Sequence, residues 1–413
     1  MSKKLAGWST KRVEEICDLG RGRVISQEEI QRHPGAYPVY SSQSKDEGVL
    51  GSLDIYDFDG DYVTWTTDGA NAGTVFFRTG KFNCTNVCGT LRPKSLETSA
   101  RFLARALSTV TKRHVSYVGN PKLMNNIMAA IQVRMPPRRE QDSIAAVLDA
   151  IDEAIAKMEA VIAKLKQVRA GLLHDLLTCG LDEHGQLRDP VAHPEQFQDS
   201  PLGRIPREWE IAFVGQLFEM QLGKMLSPKA KAGGDSRPYI GNRHVLWDRV
   251  DCSDLEYMDF AAEERVKFAL RVDDLLVCEG GEVGRTAIWR SEVSECFFQK
   301  AIHRLRPKDD RIIPQYMLAF MKRAAERGAF VNLTSQTSIA HLTQEKLAIL
   351  PVVLPPRIEQ ERMIAAWSTL DVEQRHNEEF LAKLNQLKSG LMNDLLTGRV
   401  RVPETIMDGG AQG

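Results

Sequence analysis

The 413 residues contain no Gly-x-x-x-x-Gly-Lys-Ser/Thr loop, so an intrinsic nucleoside-triphosphatase of that design is excluded. Two glycine stretches, "DGANAG" and "GGEVG", lack the spacing and following helix of a dinucleotide fingerprint and read as turns. An Asn-Pro-Pro-aromatic segment, as used to methylate adenine, is missing; "GNPK" at Gly119 lacks the second proline and the ring. Cysteine is sparse. Of the seven, only Cys84 and Cys88 lie close together, and no second Cys/His pair has zinc-site spacing. Asp273 and Asp274 are adjacent, and neighbours on a strand face opposite sides, which argues against a shared ion. No apolar run approaches the roughly 18 residues needed to cross a bilayer, and "MSKKLAGWST" lacks the apolar core of a signal peptide. A cytoplasmic chain with reduced thiols and no metal site is expected. Net charge is also lacking: 54 basic against 55 acidic residues leave −1, so any contact with phosphate must be a local patch.

What the sequence does contain is a duplication. "PPRREQ" at residues 136–141 returns as "PPRIEQ" at residues 355–360. Aligning residues 133–178 with 352–397 at a constant offset of 219 gives 19 identities in 46 positions without a gap. Both copies close on "DLLT", Asp175–Thr178 and Asp394–Thr397.

Inside the first copy Ile144, Leu148, Ile151, Ile155, Met158, Ile162 and Leu165 are spaced by alternating steps of 4 and 3. That is the seam of a coiled coil, continued with a drift by Val168, Leu172 and Leu176. The double proline marks the helix start. About 40 residues at about 1.5 Å each make a rod of roughly 60 Å, and one apolar stripe requires a partner. The second copy supplies it with Met363, Trp367, Leu370, Leu381, Leu384, Leu387, Leu391 and Leu395 in phase. Gln374 and Asn377 interrupt this second seam, either fixing register or leaving a solvated gap.

Ahead of each rod lies an irregular block, and the two blocks resemble each other more weakly. Trp8, Val13, Ile16 and Gly22 match Trp209, Val214, Leu217 and Gly223 at an offset of 201. A strand-like run with a glycine turn follows (Asp61–Phe77, Asp273–Trp289), then "LRPK" at Leu91–Lys94 and Leu305–Lys308, then a helical stretch. The expected layout is a first block at 1–135, rod one at 136–180 and an aperiodic linker at 181–204. A second block at 205–353, rod two at 354–398 and a flexible tail at 399–413 complete it. The fold class is α+β: two mixed α/β domains separated by two long helices in an antiparallel coiled coil, with a pseudo-twofold internal repeat.

Two dissimilar blocks, each followed by a near-identical helix opening Pro-Pro-x-x-Glu-Gln, resemble the specificity subunit of type I restriction–modification systems. The resemblance runs from Trp8 to Thr397 and includes the segment "GLDEHGQLRDP…HPEQFQDSPLGRIPREWE". It implies a non-catalytic DNA-reading subunit whose blocks are target-recognition domains, each reading half of a split duplex sequence. The helices would space the domains and dock two methyltransferase subunits, directing adenine methylation or, with motor-endonuclease subunits, restriction. S-adenosylmethionine, ATP and Mg²⁺ would sit on those partners, and none on this chain. A coiled-coil scaffold binding proteins but not DNA is the alternative.

Reading base edges takes Arg, Lys, Asn, Gln, Ser or Thr on exposed loops. Candidates in the first block are Ser41, Ser42, Gln43 and Lys45, then Thr66, Thr67 and Asn71, then Lys112, Arg113 and His114. Those in the second are Lys224, Lys229 and Lys231, then Arg237, Asn242, Arg243 and His244, then Arg285, Ser335 and Gln336. Residues 1–132 hold 17 basic and 13 acidic side chains, a net of +4, while 201–351 hold 22 and 21, a net of +1. Such small excesses leave much of the phosphate grip to partners.

Overall fold

The computed structural model describes residues 7–43, 45–227, 234–330 and 341–403. Two compact units emerge: the first joins the chain up to Ala160 to the chain from Glu378 onward, and the second is Val161–Asn377. The boundaries fall inside the two long helices, so each unit owns one block, the first half of its own helix and the second half of the other.

In unit one the principal sheet comprises β1 (Cys17–Arg21), β2 (Tyr62–Thr66), β3 (Val75–Arg78) and β4 (Cys88–Pro93), in the order β1-β4-β2-β3, all antiparallel. Helix α1 (Ala100–Ser108) buries Phe102, Leu103 and Leu107 against it, together with Trp65 and Leu91. Unit two repeats the plan. Strands β5 (Phe218–Leu222), β6 (Leu275–Cys278), β7 (Thr286–Ile288) and β8 (Ile302–Pro307) take the order β5-β8-β6-β7. A closing pair precedes each double proline: Ser9–Arg12 on Gln132–Met135, and Glu210–Phe213 on Pro351–Leu354.

The repeated rods are helices α2 (Arg138–Thr178) and, beyond the second unit's Pro314–Glu326 helix α3, α4 (Arg357–Leu396). In unit one Ile144 and Leu148 share a core with Leu395 and Leu396, and Lys388 Nζ lies 2.6 Å from Asp152. In unit two Leu173 and Leu176 share a core with Met363 and Trp367, and Arg169 lies 2.6 Å from Asp371. Within each unit, rising numbers on one helix meet falling numbers on the other, so the halves run antiparallel. Under the 219 offset Asp152 corresponds to Asp371 and Arg169 to Lys388, so both pairs are one interaction made twice.

The seam departs from simple heptads past Leu165. Val168 is 44% exposed and Leu387 is 51% exposed. Leu173 and Leu177 are buried instead, and Arg169 stacks 4.6 Å over the Trp367 ring. A straight α-helix drifts by about 20° per heptad, which moves the buried stripe off the 4-3 series.

The segment expected to be a linker is folded. Phe197–Ser200 and Gly203–Pro206 pair as a hairpin, and Leu181, Phe197 and Ile205 are buried. Aperiodicity here reflects a local meander rather than loose chain. Of the expected tail, residues 399–403 are described, with Val402 buried in the core of unit one; residues 404–413 lie outside the described residues.

Candidate nucleic-acid interface

The duplicated motifs are braces that hold each block to its helix. Gln141 accepts from the Ser99 N–H (2.8 Å) and donates to the carbonyls of Glu97 (2.9 Å) and Pro136 (2.8 Å). Gln360 does the same with Ile313 N–H (3.0 Å), Arg311 O (2.7 Å) and Pro355 O (2.8 Å). Each glutamine thus ties the entry of the block's helix, α1 or α3, to the double-proline turn. Glu140 accepts from Trp8 Nε1 (3.2 Å) and, on both oxygens, from Arg401 (2.6 and 2.8 Å). Glu359 accepts from Trp209 Nε1 (3.0 Å), the Leu181 N–H (2.8 Å) and Arg188 (2.6 and 3.3 Å). A buried carboxylate is stable only when paired and bonded in this way. The repeated lysine of "LRPK" is a third brace: Lys94 Nζ donates to Glu14 O and Lys308 Nζ to Gly215 O, each at 2.6 Å.

These braces fix the sheets, and the sheets project the loops that carry the candidates. In unit one, β2 runs into a turn with positive φ at Gly69 and Gly73. Asn71 Nδ2 reaches the Ser42 carbonyl (2.9 Å), and Lys112 Nζ reaches Ala72 O (2.9 Å) and Thr74 Oγ1 (3.0 Å). Gly69 N–H donates to Pro121 O (2.9 Å), and Leu123 N–H to Thr67 O (2.8 Å). Three sequence-distant candidate groups therefore form one loop surface. Gln43 turns inward to the Val49 carbonyl, whereas Arg113 and His114 are exposed.

Unit two places the equivalent turn after β6. Asn242 Nδ2 donates to Gly280 O (3.0 Å), Arg285 Nη2 to Asn242 O (2.8 Å), and Leu342 N–H to Glu279 O (2.8 Å). Leu342 and Leu123 are equivalent under the 219 offset, so the latch between turn and distal loop is conserved between the units. Arg243 is exposed and pairs with Asp254 at 3.3 Å.

Several candidates take structural roles instead. Thr66 is buried and Thr67 is 0% exposed, its Oγ1 donating to Asp68 (2.6 Å) and accepting from Arg21 (3.2 Å). Alternation on a strand cannot reveal that both faces are covered. His244 is buried: Nδ1 accepts from the Gly241 N–H (2.8 Å) and Nε2 donates to Asp254 O (3.0 Å). Lys224 is held by Asp259 O (2.6 Å) and Glu264 (2.5 Å), and Arg237 by Asp235 (3.0 Å) and Glu295 (3.1 Å), so neither joins the cluster. Ser335, Gln336, Lys229, Lys231 and the Lys45 side chain lie outside the described residues. Asn120 and Lys122, which are not among the sequence candidates, lie exposed on the cluster's distal loop. The pairing of Gly69 with Pro121 is a backbone contact with no side-chain signature.

Among the described residues no group of three or more His, Cys, Asp or Glu side chains could hold a metal, and no helix is long and apolar enough to cross a membrane. All seven cysteines are free. Burial pushes the Cys88 thiol up to about 11 and that of Cys17 up to about 12, so both remain protonated at neutral pH and are poor nucleophiles.

The type I restriction modification DNA specificity domain model matches the chain twice, over residues 6–167 and 206–388. A Mycoplasma pneumoniae chain bearing the name of a type I specificity subunit N-terminus is 45% identical over 141 residues, 34% of this chain and 75% of that relative. The chain spans about half the length of others from that organism. The MjaVIII specificity subunit of Methanocaldococcus jannaschii is 22% identical over 96% of this chain and 93% of its own. Among solved structures, the S subunit of a type I restriction-modification system from M. genitalium superposes with a TM-score of 0.62 at 16% identity, covering 96% of this chain and 98% of that one. Twice-matched by the family model and carrying the same braced sheet in both units, the chain belongs to the type I restriction–modification specificity-subunit family.

Proposed function

We propose that the chain is the non-catalytic reader of a bipartite duplex DNA sequence, each unit's loop cluster reading one half. One observation carries this reading. The two units share sheet order, glutamine brace and turn latch, yet present different side chains at the loop ends: Ser42, Asn71 and Arg113 in one, Asn242, Arg243 and Arg285 in the other. A constant frame with variable tips is suited to reading two different base sequences.

In this reading the antiparallel helices set the spacing and dock two methyltransferase subunits, and motor-endonuclease subunits join for restriction. S-adenosylmethionine, ATP and Mg²⁺ belong to those partners. Exchanging residues 8–132 for the first block of another family member tests the division of labour. Methylated sites mapped across a genome are expected to change in one half only. Change in both halves would contradict it.

A further inference from the structure

Residues 115–122 of unit one form a small hairpin. Ser116 and Lys122 exchange both backbone hydrogen bonds at 2.9 Å, and Gly119 turns the tip with φ +75°. Its returning arm is tied to the glycine turn after β2 by one antiparallel backbone bridge, in which Gly69 N–H donates to Pro121 O and Leu123 N–H to Thr67 O, and the Leu123 carbonyl accepts from Trp65 Nε1 at 2.9 Å. The stem is therefore fixed to the core of the unit.

The tip points the other way. Tyr117 is 69% exposed and Val118 92% exposed, with Asn120 beside them. Large apolar side chains held that far into water on a stem tied to the core gain nothing for folding. Around them the charge has one sign. Residues 109–124 contain Lys112, Arg113, His114 and Lys122 and no acidic side chain. The acidic neighbour in the turn, Asp68, is neutralised by Arg21 at 3.0 Å.

We infer that this hairpin is a reading finger that enters the major groove of duplex DNA. Asn120, Tyr117 and Val118 meet base edges, while Arg113 and Lys122 grip the flanking phosphates. The inference deepens the recognition reading above and rests on it. A two-stranded ribbon fits a groove about 12 Å wide, an amide pairs with adenine, and apolar groups meet the thymine methyl. Cations at the base of such a finger set its register on the backbone. An apolar protein groove as the alternative occupant would leave the surrounding cations unmatched.

The test uses the full chain assembled with its methyltransferase subunits, on a cognate duplex and on a random one. Tyr117→Ser with Val118→Ser, and separately Asn120→Ala, are expected to weaken cognate binding by about tenfold or more while leaving random-duplex binding unchanged, or to relax one base position in one half of the mapped sites. Arg113→Ala with Lys122→Ala is expected to weaken both duplexes alike and to lower the salt slope by roughly two. Leu96→Ser, which alters another highly exposed apolar residue of the unit, is the control expected to change neither. Tip variants that bind and methylate like the wild type would overturn the finger and leave the recognition reading standing. A wild-type assembly with no sequence preference would overturn that reading and the finger with it.

Discussion

Replacing Gln141 by alanine strands the buried Ser99 N–H and the Pro136 carbonyl, because the amide that satisfies both is gone. A buried polar group left without a partner costs about 1–3 kcal/mol. The loss is expected to fall on α1, and it should appear in hydrogen exchange as reduced protection of that helix and of β2. Gln360→Ala should do the same to α3 and β6. At His303, burial lowers the imidazole pKa while Nε2 holds the Leu342 carbonyl at 2.8 Å. The unfolded chain takes up a proton near pH 6.5, but the native site resists it. Unit two should therefore be at full stability above about pH 7 and lose stability as pH falls through about 6.5. A urea titration at several pH values checks this, and His303→Gln should flatten the dependence.

The helices carry a different kind of prediction, since in the proposed function they set the distance between half-sites. Seven residues inserted into α2 after Ala160 and seven into α4 after Asn377 keep both seams in phase. Each addition lengthens its helix by about 10 Å, or about three base pairs. The mapped sites are expected to keep both half-sequences and gain a correspondingly longer gap. Two residues inserted near Ile155 alone turn the later stripe by about 200° and should abolish assembly with the methyltransferase subunits. The rods, their start at the double proline and the block helices after "LRPK" were all legible in the sequence, because period and punctuation are local properties. The folding of residues 181–204 was not, because Leu181 and Arg188 are ordered by Glu359, some 170 positions away. The loop cluster was legible as three groups, not as one surface. The bonds that join them run from side chains to carbonyls, Asn71 to Ser42 and Lys112 to Ala72, across 29 and 40 positions of sequence.

Purified without partners, the chain is expected neither to methylate nor to cleave DNA. Methyl transfer from labelled S-adenosylmethionine by the isolated chain would contradict the proposed role. The carboxylate braces carry a further consequence, one of timing. Unit two is an unbroken stretch from Val161 to Asn377, and its Arg188 is made before its Glu359. Unit one has Glu140 early, but Leu395, Arg401 and Val402 arrive hundreds of residues later. On the ribosome the block synthesised first must then be the one completed last, waiting with Ile144 and Leu148 uncovered while the later unit closes. A message cut short after Thr397 would leave its defect near the beginning of the protein. Pulse proteolysis of nascent chains should find residues 8–160 cleavable until residues 395–402 have emerged from the ribosome.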